Sequence, residues 1–364
     1  MGKNLPARGG IVMAARFLLK RHGAAMKQIR MYGPQDLRID DVPRPVAGPR
    51  DVVVKVAMFG ICGSDLAFVR DGYIGRPTGQ AMPLGHELAG TVFEVGSEVS
   101  GIRSGQRVVV HPMKSGNRIG TGDPEHGGFA EYLLVREAVL GDSIFPIDDS
   151  LSFDRAVLTE PIAVGMHGLN LGDVQAGDHA VVFGAGPIGL GAIAALKYRG
   201  AARVVAIDVV EERLERARQL GADLTINPAK EDVRATLEER LGTVKSMLTG
   251  LPLVDAGLYV DCAGHAPLLQ QAVEMAKEGA RIVILAKHKT PVSMDMVQVM
   301  SKELTVRGSL SYPTEFSEVI AMLGDTGLDM GPMVSHMFPF EQFEQAFATA
   351  QNAQQSAKVL VSVE

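Results

Sequence analysis

The sequence predicts an α/β protein in which a doubly wound parallel sheet is inserted into a β-rich domain. Short strands broken by Gly, Pro and Asp fill residues 26–172, whereas strands and helices alternate over residues 173–304. The tail, residues 305–364, returns to the first pattern, so we expect it to complete the β-rich domain. Residues 1–25 contain five Lys or Arg and no acidic residue. We interpret them as an N-terminal extension that packs poorly, ahead of a functional chain that begins at Met26.

Apolar runs bounded by turn residues give the individual elements. Strands are predicted at Gln28–Met31, Asp51–Met58, Leu88–Val95 and Arg107–Val110. In the alternating region, strands are predicted at Ala180–Phe183, Arg203–Ile207, Leu258–Cys262 and Arg281–Leu285, with helices at Leu190–Tyr198 and Glu211–Leu220. The tail predicts strands at Leu304–Ser309 and Ala357–Val363 and helices at Glu315–Leu323 and Glu341–Gln351. The run Arg281–Leu285 is also a candidate edge strand for pairing across a dimer.

Three glycines with the spacing G-x-G-x-x-G separate the strand Ala180–Phe183 from the helix after it. Gly184 permits a tight turn, Gly186 lets a pyrophosphate approach the backbone, and Gly189 lets the helix pack close to the strand. Asp208 ends the next strand, where a carboxylate can accept hydrogen bonds from ribose hydroxyls and repel the 2′-phosphate of NADP. The arrangement predicts NAD binding; the alternative is a glycine-rich turn without a ligand.

Composition excludes several classes of protein. No apolar run approaches the ~20 residues needed to cross a membrane. The net charge of −6 argues against a nucleic-acid partner. Two cysteines cannot form a disulfide framework, which favours the reducing cytoplasm.

Potential metal ligands lie in three segments ahead of the glycine motif. They are Cys62, the pair His86 and Glu87, and Glu160. One thiolate, one imidazole and one or two carboxylates could hold a catalytic metal, and the thiolate favours zinc over magnesium or calcium. From spacing alone, a structural cysteine and an ordinary Gly-His-Glu turn remain the alternatives.

These motifs occur in an order that resembles one known family. They are Gly60–Asp65, Gly85–Gly90 followed by Gly96 and Val99, Gly128–Tyr132, Glu160–Val164, the glycine motif and Gly221–Asp223. From Met26 to the C-terminus, the chain resembles the zinc-dependent medium-chain alcohol dehydrogenases, most closely their sorbitol, butanediol and idonate dehydrogenase branch. The resemblance implies a GroES-like catalytic domain, a Rossmann-type NAD-binding domain and a homo-oligomer, either a dimer or a tetramer.

The resemblance also implies site residues. Cys62, His86 and Glu87 would hold one catalytic zinc, with Glu160 binding it directly or through water. Asp65 would orient His86, because a ligating imidazole usually needs such a partner. The zinc would activate the alcohol, and NAD would accept its hydride.

Further implied contacts involve the proton path and the dinucleotide. Ser64 would bridge the substrate hydroxyl to a proton path. The dinucleotide would contact Gly184, Gly186, Ile188, Gly189, Asp208, Arg213, Leu285, Ala286 and Leu310.

The chain departs from its relatives where many of them bind a structural zinc. The corresponding region, from about His111 to His126, contains no cysteine. We therefore expect no structural zinc and interpret His111 and His126 as isolated surface or loop histidines. Ala67 stands where many relatives have a His that relays the proton, so the proton must leave through water, Glu160 or the cofactor ribose.

A third departure concerns the substrate. Polyol-oxidising relatives have a Tyr at the position of Phe68 and an Arg at the position of Ser311, beside Tyr312. Without those donors, the site should prefer a less hydroxylated secondary alcohol or ketone to sorbitol, although a diol, polyol or sugar acid stays open. The alternatives to this function are a zinc-free NAD(P)H-dependent quinone or enone reductase and a non-catalytic NAD(H)-binding protein.

Overall fold

The computed structural model describes residues 24–363. The predicted N-terminal extension therefore lies outside the described residues, apart from its last two. The described chain divides into two compact units, residues 24–147 with 362–363 and residues 148–361. These limits separate parts of the chain that contact themselves more than each other. They do not test the domain limits given above, which stay a prediction.

The first unit is built on antiparallel strands. They are Ala25–Gly33, Asp36–Pro43, Val52–Ile61, Met82–Pro83, Glu87–Val95, Arg107–Val110, Tyr132–Val135 and Ile144–Pro146, with one short helix at Gly63–Asp71. The strand Val52–Ile61 pairs with Glu87–Val95 on one side and with Tyr132–Val135 on the other. All its residues but Lys55 are buried, as expected for a central strand of valines and other apolar residues. This pairing places Gly60, near the end of Val52–Ile61, beside Glu87, at the start of Glu87–Val95. The motifs that contain Cys62 and His86 therefore lie close together.

The second unit contains the doubly wound sheet. Within the described residues, six parallel strands lie side by side in the order Leu224–Ile226, Arg203–Ile207, His179–Phe183, Leu258–Asp261, Arg281–Ile284 and Thr305–Gly308. Numbered along the chain, this order is 3-2-1-4-5-6, the order of dinucleotide-binding sheets. It reverses direction beside His179–Phe183, the strand that leads into the glycine motif. The predicted fold class, a Rossmann-type sheet beside a β-rich domain, is confirmed.

Helices and short strands complete the second unit. The helices are Phe153–Ala156, Thr159–Leu171, Pro187–Tyr198, Glu211–Gln219, Val233–Leu241, Ala266–Met275, Met296–Ser301, Phe316–Gly324 and Phe343–Gln351, with 3₁₀ turns at Gly331–Met333 and Phe340–Gln342. The remaining strands are Thr243–Lys245, Pro252–Val254, Val334–Pro339 and Lys358–Ser362. Val181, Phe183 and Tyr259 belong to the buried core between sheet and helices. No helix of the described chain has the length and apolarity that a membrane span requires.

The prediction that Arg281–Leu285 forms an edge strand was wrong. Arg281–Ile284 lies between two strands, and Thr305–Gly308 forms the edge instead. The apolar residues Ile282 and Val283 are buried because the strand is internal. The edge strand also lies beyond residue 304, the predicted end of the NAD-binding domain.

Candidate metal and nucleotide sites

Cys62 lies where a buried strand gives way to a helix. It follows Val52–Ile61 directly and is the N-cap of the helix Gly63–Asp71, with an extended backbone. Its N–H donates to Asp65 Oδ2 at 2.9 Å, a bond that satisfies one of the free donors at the helix N-terminus. The strand and the cap together fix the position of the thiol.

His86 is held by a glycine turn and a buried acid. Gly85 has a φ of +88°, and a Cβ there would overlap the Phe129 ring, so the turn requires glycine. His86 is 4% exposed, and its Nδ1 lies 3.6 Å from Asp65 Oδ1. One carboxylate therefore contacts both segments that bear ligands, which leaves Nε2 of His86 to face the metal position.

Glu87 begins the strand Glu87–Val95 and is fully buried. Its carboxylate, the Cys62 thiol and the His86 ring each offer a ligand atom, and these atoms lie within 4.8 Å of one another. A buried carboxylate is stable only when it is paired or bound to a cation. Since sulfur, nitrogen and oxygen ligands of this kind suit zinc, the residues fit the metal that the family resemblance implies.

Ser64 lies in the first unit with the ligand group, whereas Glu160 lies in the second. Ser64 Oγ lies 3.3 Å from His86 Nε2, beside the ligand atoms. Glu160 is buried in the first turn of the helix Thr159–Leu171, in the second unit. Its contact with zinc stays a prediction.

The glycine motif forms the turn that the sequence predicts. Gly184 has a φ of +90°, and a Cβ on Gly189 would overlap Gly184 O, so both positions require glycine. Gly186 caps the helix Pro187–Tyr198, whose first residue is the proline favoured there. The free N–H groups of this helix start and its dipole provide a site for phosphate.

Asp208 stands at the carboxyl end of the neighbouring strand, Arg203–Ile207. Its Oδ2 accepts a hydrogen bond from Ala185 N at 2.7 Å, and its Oδ1 accepts one from Val210 N at 2.9 Å. Each carboxylate oxygen keeps acceptor capacity for a ribose hydroxyl. Arg213 Nη2 donates to Ser356 O at 3.1 Å, which fixes a cation near Gly186.

A cavity of about 870 Å³ opens at this edge of the sheet. Four of the predicted cofactor residues, Gly184, Gly186, Asp208 and Arg213, line it. The other five do not: Ile188, Gly189, Leu285, Ala286 and Leu310. Leu310 is 87% exposed. The structure thus brings together the residues predicted for the adenosine and phosphate half of the dinucleotide.

Sequence reasoning missed part of this cavity. Cys262, Ala263 and His265 follow the strand Leu258–Asp261 and line it, whereas we expected Cys262 to end a buried strand. Ligands of such sheets bind beyond the carboxyl ends of the strands next to the reversal of strand order, so this segment could have been identified. Burial raises the pKa of the Cys262 thiol, which keeps it neutral and unreactive.

A buried acid supports that missed segment. Asp261 Oδ1 accepts hydrogen bonds from Ala263 N at 3.0 Å and Gly264 N at 2.9 Å. Its Oδ2 lies 2.6 Å from His288 Nε2. No sequence motif surrounds His288, so only the structure shows that it helps to hold this loop.

The region without cysteines is held by hydrogen bonds. Asn117 Nδ2 donates to Lys114 O at 2.9 Å and to Arg136 O at 2.8 Å. Asp123 accepts from Glu125 N, His126 N and Arg136 Nη1, each at 2.9 Å. These side chains tie the loop to the strand that precedes Arg136.

Both histidines of this region lie in the loop, as we expected, but neither is exposed at the surface. His111 is buried and its Nδ1 accepts from Met113 N at 3.3 Å, while His126 is mostly buried. Neither belongs to a group of three potential ligands, and among the described residues only the Cys62 group has this geometry.

Asp123→Ala should lower the free energy of unfolding by about 2–3 kcal/mol, because it removes the charge-assisted hydrogen bonds that a buried carboxylate accepts. Urea unfolding measures the effect. Asp41→Ala is the matched control in the same unit: its carboxylate is 74% exposed and 3.5 Å from Lys27 Nζ. Its loss should stay below about 1 kcal/mol. Equal losses in the two variants would show that Asp123 does not hold this loop.

Stability should also depend on His126. Burial is the main cause that lowers the pKa of His126 from the ordinary 6.5. The positive charge of Arg136 lowers this pKa further, whereas the negative charges of Asp123 and Glu125 raise it. The unfolded chain therefore binds a proton at His126 more tightly than the folded chain does. The contribution of His126 to the free energy of unfolding is present above pH 6.5, and it is lost as the pH falls through the folded-state pKa. Unfolding measured between pH 7 and 5 should show a loss of up to about 1.4 kcal/mol per pH unit from this group. His126→Gln should lack that component; an identical pH profile would contradict the assignment.

The predicted substrate residues have contrasting surroundings. Phe68 lies on the helix Gly63–Asp71, one residue after Ala67, and is half-buried. Ser311 has a φ of +62°, and the Tyr312 ring is buried 5.4 Å from the Phe316 ring, measured between centroids. Tyr312 is therefore a packing residue of the second unit as well as a candidate substrate contact.

Family models match both units. Residues 48–145 match the alcohol dehydrogenase GroES-like domain, and residues 187–325 match the zinc-binding dehydrogenase domain. The first range contains the Cys62 group, and the second begins inside the glycine motif. The GroES-like assignment of the β-rich part is thereby confirmed.

Full-length relatives are also similar. Mouse sorbitol dehydrogenase is 32% identical over 88% of this chain and 91% of its own length. The (R,R)-butanediol dehydrogenase of Neisseria gonorrhoeae is 32% identical over 93% of this chain and 99% of its own length.

Solved structures add the cofactor. A protein from Escherichia coli CFT073, described as a short chain alcohol dehydrogenase and complexed with NADH, is 28% identical, with a TM-score of 0.81 over 93% of this chain and 100% of its own. A protein from Sinorhizobium meliloti 1021, provisionally described as a zinc-binding dehydrogenase and bound to NADP, is 26% identical, with a TM-score of 0.82 over 93% and 99%. Together with the two sites described above, these matches show that the chain belongs to the zinc-dependent medium-chain alcohol dehydrogenases, a family of oxidoreductases that use a nicotinamide cofactor.

Proposed function

We propose that this enzyme interconverts a secondary alcohol and its ketone with one catalytic zinc and NAD. The group of Cys62, His86 and Glu87, with ligand atoms within 4.8 Å of one another, carries the proposal. These residues would hold the zinc, with Glu160 as a fourth ligand or a partner through water. A zinc-free reductase or a non-catalytic NAD(H)-binding protein would have no need for this set of donors.

The protein residues orient and activate the reactants. Asp65 fixes the Cys62 backbone and faces Nδ1 of His86, which orients Nε2 towards the metal. The hydroxyl of Ser64, next to that Nε2, can hydrogen-bond a substrate hydroxyl and pass its proton towards solvent. Bound zinc supplies a Lewis acid that lowers the pKa of the substrate alcohol, and the nicotinamide exchanges the hydride.

We propose NAD in preference to NADP. The Asp208 carboxylate lines the cavity and is fixed by two backbone N–H groups, so it can receive both hydroxyls of an adenosine ribose. A 2′-phosphate would meet a like charge there. Val209 follows Asp208 and provides no cation to offset that repulsion.

We propose that the enzyme contains no structural zinc. Among the described residues, the region from His111 to His126 offers no set of three ligands, and hydrogen bonds of Asn117 and Asp123 hold it. Metal analysis of the purified protein should find close to one zinc per chain. Two tightly held zincs would contradict this proposal.

The substrate is proposed to be a less hydroxylated secondary alcohol, such as a small vicinal diol, in preference to sorbitol. Phe68 and Ser311 stand where polyol-oxidising relatives have a Tyr and an Arg that hydrogen-bond the extra hydroxyls of a sugar alcohol. A screen of 2,3-butanediol, simple secondary alcohols, sorbitol and idonate with NAD⁺, read by NADH absorbance, tests the proposal. Sorbitol or idonate as the substrate with the highest kcat/KM would contradict it.

We also propose a homo-oligomer that works in the cytoplasm. The edge strand Thr305–Gly308 is exposed along its length, and the helix before it exposes Met296, Val297 and Met300. A second copy that covers this apolar edge would satisfy its backbone groups. Light scattering would contradict the oligomer if the protein were monomeric. Two free thiols, Cys62 and Cys262, suit a reducing compartment.

A further inference from the structure

Glycine at position 60 leaves the space that the Glu87 carboxylate occupies. Gly60 and Glu87 are Cα partners in the antiparallel pair of Val52–Ile61 with Glu87–Val95. A Cβ on Gly60 would lie less than 3.0 Å from Glu87 Oε2, 3.3 Å from its Cδ and 3.4 Å from its Cβ. The Glu87 side chain therefore folds back across its partner strand, directly over Gly60.

Backbone conformation does not explain this glycine. Gly60 does not have a positive φ, unlike Gly85, so its backbone is accessible to alanine. Strand geometry also places no demand on it, since the neighbours Met58 and Phe59 carry large side chains. The three atoms that lie nearest to a Cβ at position 60 all belong to Glu87, so the closest steric conflict is with that side chain.

The position matters because of what lies next to it. Side chains two residues apart along a strand point to the same face, so Gly60 shares a face with Cys62. Lying over Gly60, the Glu87 carboxylate is directed towards the thiol side of the strand, where the ligand atoms lie within 4.8 Å of one another. A carboxylate displaced from Gly60 would leave this group.

We propose that Gly60 is a positioning residue for the metal: by lacking a Cβ, it sets the place of the Glu87 carboxylate among the ligands. The inference rests on the zinc site proposed above. Gly60→Ala should lower zinc affinity at least about tenfold, as loss of a supporting group around a metal typically does. Competition with a chromophoric chelator measures the affinity, and the absorption spectrum of the Co²⁺-substituted protein should change, because the ligand set is altered.

Two further comparisons separate this positioning role from a general loss of stability. Gly33→Ala is the matched control, because Gly33 ends a strand of the same unit and a Cβ added to it would have no other atom within 4 Å. It should keep the zinc affinity of the wild type. In the Glu87→Ala background, which removes the clash, adding Gly60→Ala should change zinc affinity less than about twofold, because the two sites couple only through that carboxylate.

Each outcome decides the proposal. A wild-type zinc affinity in Gly60→Ala, or an equal loss in both backgrounds, would overturn it. If Gly60→Ala fails to fold, folding of the double variant would support the proposal and its failure would overturn it. If the wild type holds no zinc, the proposed function fails. The wild type, Gly60→Ala, Glu87→Ala and the double variant are then unfolded in urea without metal. A loss of stability from Gly60→Ala only when Glu87 is present would support the steric role of Gly60, and an equal loss in both backgrounds would overturn it.

Discussion

Cys62→Ala is expected to lower kcat/KM for alcohol oxidation at least about a thousandfold, equivalent to about 4 kcal/mol of transition-state stabilisation. The thiolate is the soft donor of the group. Cys62 directly follows a buried strand, which fixes its position, so no neighbouring residue can replace it as a ligand. Without it, the group keeps only the nitrogen of His86 and carboxylate oxygens, so the zinc loses its one sulfur ligand and is held less tightly. Zinc content of the dialysed variant should fall with activity.

NAD binding separates loss of metal from loss of fold. The residues that line the nucleotide cavity all lie in the second unit, so Cys62→Ala should bind NADH with an affinity close to that of the wild type, as measured by fluorescence titration. Ser104→Ala, which removes one heteroatom from an exposed residue of the first unit, is the control and should keep both zinc and activity. Full activity of a metal-free Cys62→Ala enzyme would refute the zinc assignment.

Asp208→Ser is expected to reduce the preference for NAD over NADP, expressed as a ratio of kcat/KM, at least about tenfold, or ~1.4 kcal/mol. The substitution removes a carboxylate that can accept from both ribose hydroxyls, each bond worth about 1.5–3 kcal/mol. It also removes the negative charge that a 2′-phosphate would meet. Arg213, fixed on Ser356 O, could then contribute to a phosphate site, though one cation gives partial recognition only.

Asp232→Ser controls for charge in the same cavity. Asp232 lines it and caps the helix Val233–Leu241 through Ala235 N, a role that serine also performs. The NAD to NADP ratio of this variant should stay within about threefold of the wild type, below about 1 kcal/mol. A wild type that already prefers NADP, or an unchanged ratio in Asp208→Ser, would show that Asp208 does not contact the adenosine ribose.

Local patterns predict most of the fold because they record what each segment buries. The strand Arg107–Val110 has the predicted limits, and the helix over Glu211–Gln219 begins where predicted and ends one residue early. In both, apolar spacing and a turn residue coincide with burial. The hairpin Thr243–Lys245 with Pro252–Val254 was missed, because its apolar residues Met247, Leu248 and Leu251 are exposed and give no periodic pattern.

In the candidate sites, too, some residues could be predicted from local motifs and others could not. Cys62, His86 and Glu87 are found in short motifs, and the structure brings them together in one unit. The contacts of Asp261 with His288, and of Gly60 with Glu87, join residues far apart in sequence, and no local pattern pairs them. The register of two strands sets the second contact and a loop beyond a strand sets the first, so the structure is needed to find both.

The metal ligands of the first unit lie between residues 62 and 87, and this has a consequence for folding. Loop-closure entropy is modest for so short a segment, and the strands that carry these residues pair with each other. The ligand set can therefore form from an early part of the chain, while the nucleotide-binding sheet is still being synthesised. Zinc captured at that stage would stabilise the nascent unit by mass action, so the free energy of unfolding should rise with free zinc even in the absence of any cofactor.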